Sequence, residues 1–446
     1  MSTDGLCAIA YNNLDFDFKV KEPTLENPGG FASITTGTFL PLSPETTPSS
    51  LRFSKELWEK SSLNPHGTKD SVPPSIPTPR YIMGQIIEAH PRIELAMLWF
   101  IKDTLIENYL PDEYKDLLGP VPSSKWIPIR KTVQHPARAM HIKASSTDGN
   151  VEIVKNMEHQ LGTADQWYDS HVRLCHGDLG TQERHDTTMS FRSIEKSGKN
   201  RLQWLIPIPG VFHIRMAAVD AIWRMHIRDK DMRENSGGTF KLFHTLRPKD
   251  SSKLATNPGY RMLNDGFQHL IKTHLLVCWE HVTGLSDLTA FAKTKPKWDD
   301  IEGKAREILH KYVAGQNFQA LRDQPDSNRD RKRENQLLFN RDSLLYALLA
   351  LASNQGAIGL MQDLLWHWVP MFQACGKHKY ATHLSKFLRD LRTTYPLLLA
   401  QMIEMNWLCN PTGKSDGFRG VDWLVELNNL YTKVFFYLKK CRNVDL

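Results

Sequence analysis

The chain has 446 residues, 41% of them hydrophobic and 10% aromatic, so it is long enough for one large domain or for two to three ordinary ones, and it is not globally disordered. Its formal net charge of +7 is compatible with DNA as a partner but is not diagnostic of one. The six cysteines form no CxxC pair, which argues against a zinc site built on cysteines and indicates reduced thiols.

The N-terminus carries no secretory signal, and no apolar run is long enough to span a bilayer. The sequence therefore predicts a soluble, intracellular protein with no membrane partner, and it does not distinguish nucleus from cytoplasm. The cluster RDRKRE at 329–334 is either a weak nuclear address or, more simply, a solvated run of charges.

Residues 1–80 are rich in Pro, Ser, Thr and Gly and are predicted to form an irregular N-terminal arm with one strand near Tyr11. Within this arm, residues 40–80 are expected to be poorly packed, because they offer little apolar surface. Helical periodicity begins at residue 81 and is predicted to break near Pro91. Residues 81–446 are predicted to form the main domain.

Two short apolar segments, SHVRLCHGD at 170–178 and RLQWLIPIPG at 201–210, predict strands that are neighbours in one sheet. The second strand runs directly into a predicted helix. Further helices are predicted near 260–282, 300–313, 336–352, 356–374, 380–405 and 420–440. The predicted fold is a helix-rich α/β fold, with a small sheet and a large helical C-terminal half.

Two polar residues follow these strands. Asp178 comes directly after the first strand and either lines a crevice as a functional acid or caps a turn beside two glycines. His213 lies in the first turn of the helix after the second strand, where it either donates to a phosphate or an acid or has a structural role.

A basic cluster, CGKHKYATHL at 375–384, places Lys377 and His378 beside an aromatic ring. This pattern is typical of binding to a nucleic-acid backbone, and a positively charged helix start looks the same. The segment NPTGKSDG at 410–417 lacks the spacing of a P-loop, and no small-molecule cofactor is implied.

The C-terminal helix carries two patterns. Trp423, Leu427 and Leu430 recur at helical spacing and predict a face packed in the core. The opposite face is polar and is either a solvated salt-bridge ladder or the lining of a site; it carries Asp422, Glu426, Asn429 and Lys433. Because the two acids are one turn apart, both could face a hard divalent ion. We expect this polar face to line a cleft shared with the loop after Asp178, with Lys433 or an arginine between Asp178 and Glu426 when no metal is bound.

Taken together, several segments resemble the large basidiomycete family built around domain of unknown function 6589. The resemblance runs from about Tyr11 to the C-terminus and rests on AYNNLDFDF, FASITTGTFLP, CHGDLGTQER, WLIPIPGVFHIRMAAVDAIWR, CGKHKYATHL and NPTGKSDGFRGVDWLVELNNLYTK. The family has no established activity. Its distribution implies mobile-element ancestry, and its longer members imply that this chain is a shortened copy or a partial gene model.

The resemblance assigns roles to particular positions. It implies a degenerate relative of a ribonuclease-H-like transposase or nuclease that acts on phosphodiesters, with Asp178, Asp422 and Glu426 as catalytic acids. On this hypothesis Asp178 and Glu426 hold Mg²⁺ or Mn²⁺. Family members read Tyr-Asp-Asn where this chain has Tyr11-Asn12-Asn13, so Asn12 removes a carboxylate and predicts little or no nuclease activity.

The alternative hypothesis is a non-catalytic helical scaffold or a nucleic-acid- or protein-binding module. In that case His213, Lys377, His378, Asn429 and Lys433 are structural or contact a partner. The loss of an acid at position 12 and the modest charge favour this alternative for this copy.

Overall fold

The computed structural model describes residues 6–18, 24–26, 30–67, 76–234, 238–315 and 318–442, with the backbone alone described at 18, 232, 251 and 436–442. Within these ranges there are seven strands: β1 (Cys7–Phe18), β2 (Gly30–Pro41), β3 (His135–Pro136), β4 (Arg173–Gly177), β5 (Leu205–Pro209), β6 (Leu408–Cys409) and β7 (Arg419–Gly420).

Ten α-helices are described in the first half of the chain. They are α1 (Ser54–Glu59), α2 (Pro79–Tyr109), α3 (Glu113–Leu118), α4 (Thr147–Leu161), α5 (Trp167–Ser170), α6 (Leu179–Phe191), α7 (Gly198–Arg201), α8 (Val211–His226), α9 (Lys230–Glu234) and α10 (Thr239–Leu246).

Helices dominate the second half, which confirms the predicted helix-rich α/β fold class. They are α11 (Ser251–Thr256), α12 (Tyr260–Thr283), α13 (Leu288–Lys293), α14 (Trp298–Tyr312), α15 (Phe318–Arg322), α16 (Arg331–Gln355), α17 (Ile358–Ala374), α18 (His378–Thr393), α19 (Leu397–Met405) and α20 (Val421–Arg442). The helix predicted at 380–405 is in fact two, α18 and α19. They are separated at Pro396, because proline lacks the N–H that would continue α18.

Five strands form one sheet in the order β3-β2-β1-β4-β5. β1 is central: it pairs antiparallel with β2 over twelve residues and parallel with β4. β4 and β5 pair in parallel from Arg173↔Leu205 to Gly177↔Pro209, so the prediction that these two segments are sheet neighbours is confirmed. β6 and β7 form a separate two-stranded ribbon.

The N-terminal region is more ordered than its composition predicts. Instead of an arm with one strand, its described residues contain the long β1–β2 hairpin at the middle of the sheet. The expectation of poor packing is wrong for residues 40–67, where Leu51 and Ser54 are buried. The Ser54 hydroxyl donates to the carbonyl of Tyr168, and the Leu51 carbonyl accepts from the N–H of Val172. Residues 68–75 of the predicted arm lie outside the described residues.

The two faces of the sheet pack against different helices. Side chains alternate along a strand, so Tyr11 and Asn12 point in opposite directions: the Tyr11 hydroxyl bonds to Asn150 on α4, and the Asn12 amide bonds to Glu426 on α20. We call these the α4 face and the α20 face. The α4 face holds the main apolar cluster around the sheet, with Ile9, Tyr11, Phe39, Val154, Met157, Cys175 and Trp204 among its buried members.

The chain divides into two compact units. Unit 1 takes its described residues from Met1–Pro77, Ile127–Ile214 and His383–Leu446, and it contains the sheet and α20. Unit 2 comprises Thr78–Trp126 and the described part of Arg215–Thr382, and all of its elements described here are helical. The boundary predicted near residue 80 stays a prediction of where independently folding domains divide.

Unit 2 has its own core, in which Trp279, Trp366 and Trp368 are fully buried. Its helix α2 runs unbroken for 31 residues with Pro91 inside it, so the predicted break near Pro91 is wrong. Pro91 removes one backbone bond, to the carbonyl of Ile87. Ile87 is 67% exposed, so the turn that lacks this bond lies at the surface of the protein. Among the helices of the described residues, none is both long and apolar enough to cross a membrane.

Candidate functional site

The polar side of α20 lies against the sheet. The Asn12 side-chain amide donates to Glu426 Oε1 at 2.7 Å, and Thr36, the partner of Asn12 on β2, donates to Asn429 Oδ1. Asn429 in turn donates to the carbonyl of Asn13 at 2.9 Å. Two turns of α20 are therefore fastened to β1 and β2 by side-chain hydrogen bonds.

The apolar stripe predicted for this helix is not its buried face. Leu430 is 56% exposed, and Trp423 and Leu427 are only half-buried, whereas Leu424 and Val425 are buried. The prediction was wrong because the α20 face of the sheet offers Asn12 and Thr36 as partners. Because these two side chains need hydrogen-bond partners, the helix turns its polar side towards the sheet, and Leu424 and Val425 are buried beside that side.

Asp422 closes the N-terminus of α8. Its carboxylate accepts from the backbone N–H groups of Phe212 (3.2 Å) and His213 (2.9 Å), and its Oδ2 lies 2.9 Å from Nδ1 of His213. The first N–H groups of a helix have no partner within the helix, so a buried carboxylate there is well satisfied. A Cβ at Gly210 or at Gly420 would collide with this carboxylate, which explains why both positions lack a side chain.

His213 is the titratable group that responds to all the predicted acids. Burial alone would lower its pKa, but the hydrogen bond to Asp422, and the charges of Asp422, Asp178 and Glu426, raise the pKa of His213 above its usual value. The structure thus brings three of the predicted acids into electrostatic reach of one imidazole. The charges of Asp178 and Glu426 both favour the protonated form of His213. The expected position of Lys433 or an arginine between these two acids stays a prediction.

Asp178 caps a helix. Its Oδ1 accepts from the N–H of Thr181 at 2.7 Å, which makes it the N-cap residue of α6. The register of the parallel strands also places Asp178 relative to Asn12, because Ala10 pairs with His176. Counting two residues onward on each parallel strand brings Asn12 level with Asp178. Both interpretations of Asp178 considered from the sequence are therefore compatible with its place at the end of β4.

The donor set does not fit a divalent-metal centre as it stands. Asp422 is occupied by α8, Glu426 accepts from Asn12, and one oxygen of Asp178 is occupied by α6. Within the described residues no group of three His, Cys, Asp or Glu side chains is placed to hold a metal ion. The predicted Asp178–Glu426 metal site remains a prediction that needs a further carboxylate.

The remaining predicted residues are elsewhere or make other contacts. Lys377 belongs to unit 2, where its ammonium lies 2.7 Å from Asp220, and His378 begins α18 in the same unit. Lys433 is half-buried on α20, one turn beyond Asn429. A role for any of them in binding nucleic acid stays a prediction.

Sequence reasoning missed His176, which is 1% exposed on the strand before Asp178. Burial lowers the pKa of His176 to about 4, against the opposing charge of Asp422, so the imidazole is neutral at physiological pH. Its Nε2 has no hydrogen-bond partner among the described residues. The signal was the alternation along SHVRLCHGD, which places His176 on the same side of its strand as Leu174 and Asp178.

Comparison with known proteins gives one match. The model of a family described as a family of unknown function, DUF6589, matches residues 74–443. Asp178, Asp422 and Glu426 lie inside this range, and Asn12 lies before it. Neither a search of curated proteins nor a search of solved structures finds a match.

Proposed function

The chain belongs to this family of unknown function, DUF6589, and on that premise we propose that unit 1 is a ribonuclease-H-like fold, related to transposases and nucleases, whose metal-dependent phosphodiester chemistry is lost in this copy. The finer parts of the proposal are DNA as the ancestral substrate and descent from a mobile element of basidiomycete fungi.

The topology of the sheet supports this proposal. Its strand order is β3-β2-β1-β4-β5, with three antiparallel strands on one side and two parallel strands on the other, and with the first strand central. This is the arrangement of ribonuclease-H-like sheets. The described helices of unit 2 between residues 215 and 382 lie in the chain between β5 and α20. Because a fold alone does not define an activity, the argument depends on the site.

The single observation that carries the proposal is the hydrogen bond from Asn12 to Glu426. Enzymes that use two metal ions on phosphodiesters hold them with carboxylates from neighbouring elements. Here the central strand and the late helix meet at this point, but one partner is an amide that donates to the other. The N–H of Asn12 thus satisfies one oxygen of Glu426 in the absence of a metal ion.

The test is to restore the carboxylate by the substitution Asn12→Asp. Without metal, two adjacent carboxylates repel, so the free energy of unfolding should fall. Excess Mn²⁺ should then restore it, by about 2.7 kcal/mol when the free ion is about 100-fold above its dissociation constant. The measurement is urea unfolding with and without Mn²⁺, and the matched control is Asn13→Asp on the same strand.

The unmodified protein should show no Mn²⁺-dependent stabilisation and little or no metal-dependent cleavage of DNA. Robust cleavage that Asp178→Ala abolishes would contradict the proposal, because Asn12 would then not prevent metal-dependent activity. An Asn12→Asp variant that responds to Mn²⁺ no more than Asn13→Asp does would contradict the predicted metal position.

The alternative of a non-catalytic binding module is favoured by a different observation. Beyond Asn429 the described side chains of α20 include four large exposed hydrophobic groups: Leu430, Tyr431, Val434 and Phe435. Contiguous exposed apolar groups on a helix are typical of surfaces that bind a partner. A partner that binds this surface should protect α20 from hydrogen exchange while leaving the Asn12–Glu426 contact unchanged.

A further inference from the structure

A cavity of about 240 Å³ opens in unit 1 on the α20 face of the sheet, away from the Asn12–Glu426 contact. It is formed by the start of β1, the end of β2 with the loop after it, residues 127–133, β4, and the segment from the end of α19 to the start of α20. All of these segments belong to unit 1. The cavity is therefore a property of one compact body.

The wall of the cavity is mainly apolar, with Leu40, Ile127, Leu408, Phe418 and Val421 among its lining side chains. Three charged side chains also line it: Glu45 and Arg130, which form an ion pair with each other, and Lys131. Because the wall is mainly apolar, an apolar ring that enters the cavity removes apolar surface from water, which favours binding. A cavity of the present size suits a molecule of one or two fused rings.

One polar group in this wall lacks a partner. His176 lines the cavity, and its buried Nε2 has no hydrogen bond to the described residues. The paired residues on the neighbouring strands are Ala10 and Ile208, which offer no polar side chain. Asp422, whose charge acts on His176, accepts its hydrogen bonds from the N-terminus of α8 and contacts the ring of His213. A buried polar group without a hydrogen bond destabilises the fold unless another molecule supplies that hydrogen bond.

We propose that this cavity binds a compact, uncharged heteroaromatic molecule, whose ring packs between Leu40, Phe418 and Val421 and whose polar edge forms a hydrogen bond with the imidazole of His176. The proposed ring position is lined by apolar side chains, and Glu45 and Arg130 pair with each other, which favours an uncharged ring even though Lys131 also lines the cavity. This inference is independent of the proposed loss of phosphodiester chemistry, because none of the three acids lines the cavity.

The experiment uses the whole chain and two probes of the same shape, benzimidazole and the hydrocarbon indene, with affinities measured by ligand-observed NMR titration. Benzimidazole can donate and accept, so it serves either tautomer of His176. It should bind about fivefold to tenfold more tightly than indene, the difference expected for one hydrogen bond.

Three variants locate the binding. His176→Phe should remove the preference for benzimidazole and leave indene bound. Met405→Trp should fill the cavity from a half-buried lining position and abolish binding of both probes. Met83→Trp, the same change at an exposed position of α2, should leave both affinities unchanged.

The inference is overturned if benzimidazole does not bind the unmodified protein, or if Met405→Trp binds it as well as Met83→Trp does. It is also overturned if indene binds as tightly as benzimidazole, since the imidazole then plays no part. Met405→Trp keeps the test decisive even if His176→Phe does not fold, because it leaves the strand residues of β4 intact.

Discussion

The two faces of the central sheet are built from alternate residues of the same strands, yet they differ in kind. On the α4 face, Tyr11 is closed off by hydrogen bonds of 2.7 Å to Asn150 and to His185, inside an apolar cluster. On the α20 face, the next residue, Asn12, meets a carboxylate, and His176 lines a cavity. The comparison indicates that one face stabilises the fold and that the other is where polar groups converge.

The largest effect should come from the buried ion pair between Arg173 and Glu158, which lies beside the α4-face cluster and is almost wholly inaccessible to water. Glu158→Ala leaves the guanidinium buried without its partner, and we expect a loss of about 3–5 kcal/mol in the free energy of unfolding. Urea unfolding followed by circular dichroism measures it. The matched control, Glu158→Met with Arg173→Met, removes both charges and should recover most of the loss. If the double variant is as unstable as Glu158→Ala, burial of the charge is not the cause.

Acid should destabilise both faces through their buried histidines. Burial lowers the pKa of His176 and of His185 to about 4, from a usual 6.5. Between these values the unfolded chain binds protons that the folded chain does not, so stability falls as the pH drops from about 6.5 towards 4. At about pH 5 each histidine should cost about 2 kcal/mol.

His213 works in the opposite direction. Its raised pKa contributes stability that is fully present below its unfolded pKa and is lost as the pH rises through its folded pKa.

The acid effect of His176 is measured by urea unfolding between about pH 5 and pH 7. The variant His176→Phe should lose less stability on acidification than the unmodified protein. An unchanged pH dependence in this variant would mean that His176 already titrates normally.

Removing the charge of Asp422 tests the α20 face with a smaller change. Asp422→Asn keeps the shape but weakens the bonds to the N-terminus of α8 and to His213, and we expect a loss of about 1–2 kcal/mol. The control is Asp15→Asn, the same change at an exposed position of β1, which should stay within about 0.5 kcal/mol. Equal effects in the two variants would show that Asp422 is not the cap.

The smallest effect should be on the outer side of α20. Leu430→Gln changes a side chain that is 56% exposed, so the free energy of unfolding should move by no more than about 0.5 kcal/mol. Leu424→Ala, on the buried side of the same helix, should cost about 2 kcal/mol or more. A large loss for Leu430→Gln in dilute monomeric protein would restore the orientation first predicted for the helix.

The sequence predicted what depends on local periodicity. Apolar patterns, and the turn residues that bound them, predict the β4 and β5 segments and the long helices of the second half. They also predict the position of Asp178 at a strand end. It also predicted that Asp422 and Glu426 share one side of α20. The nature of their partners, a helix N-terminus and an asparagine, could not be predicted, because both are distant in the chain.

The errors have a common origin. The apolar stripe of α20 was assigned to the core because a helix of this pattern usually buries its apolar side, but the surface that receives this helix is itself partly polar. A strand near Tyr11 was predicted, but β2 was read as part of an irregular arm because it is rich in Thr, Ser and Gly. Threonine is β-branched and fits a strand, and Thr35 and Thr38 are buried. In both cases the tertiary partner decided the outcome.

The contact between β1 and α20 also has a consequence in time. Asn12 and Glu426 are 414 positions apart, so a ribosome adding about 5–20 residues per second completes α20 roughly 20–80 s after it has made β1. During this interval the α20 face of the hairpin has no helix to cover it. The described helices between residues 215 and 382 are synthesised before α20, and we expect them to fold before α20 covers the sheet. A stalled or slowed translation would therefore expose the centre of the sheet, rather than its edge, to other chains in the cell.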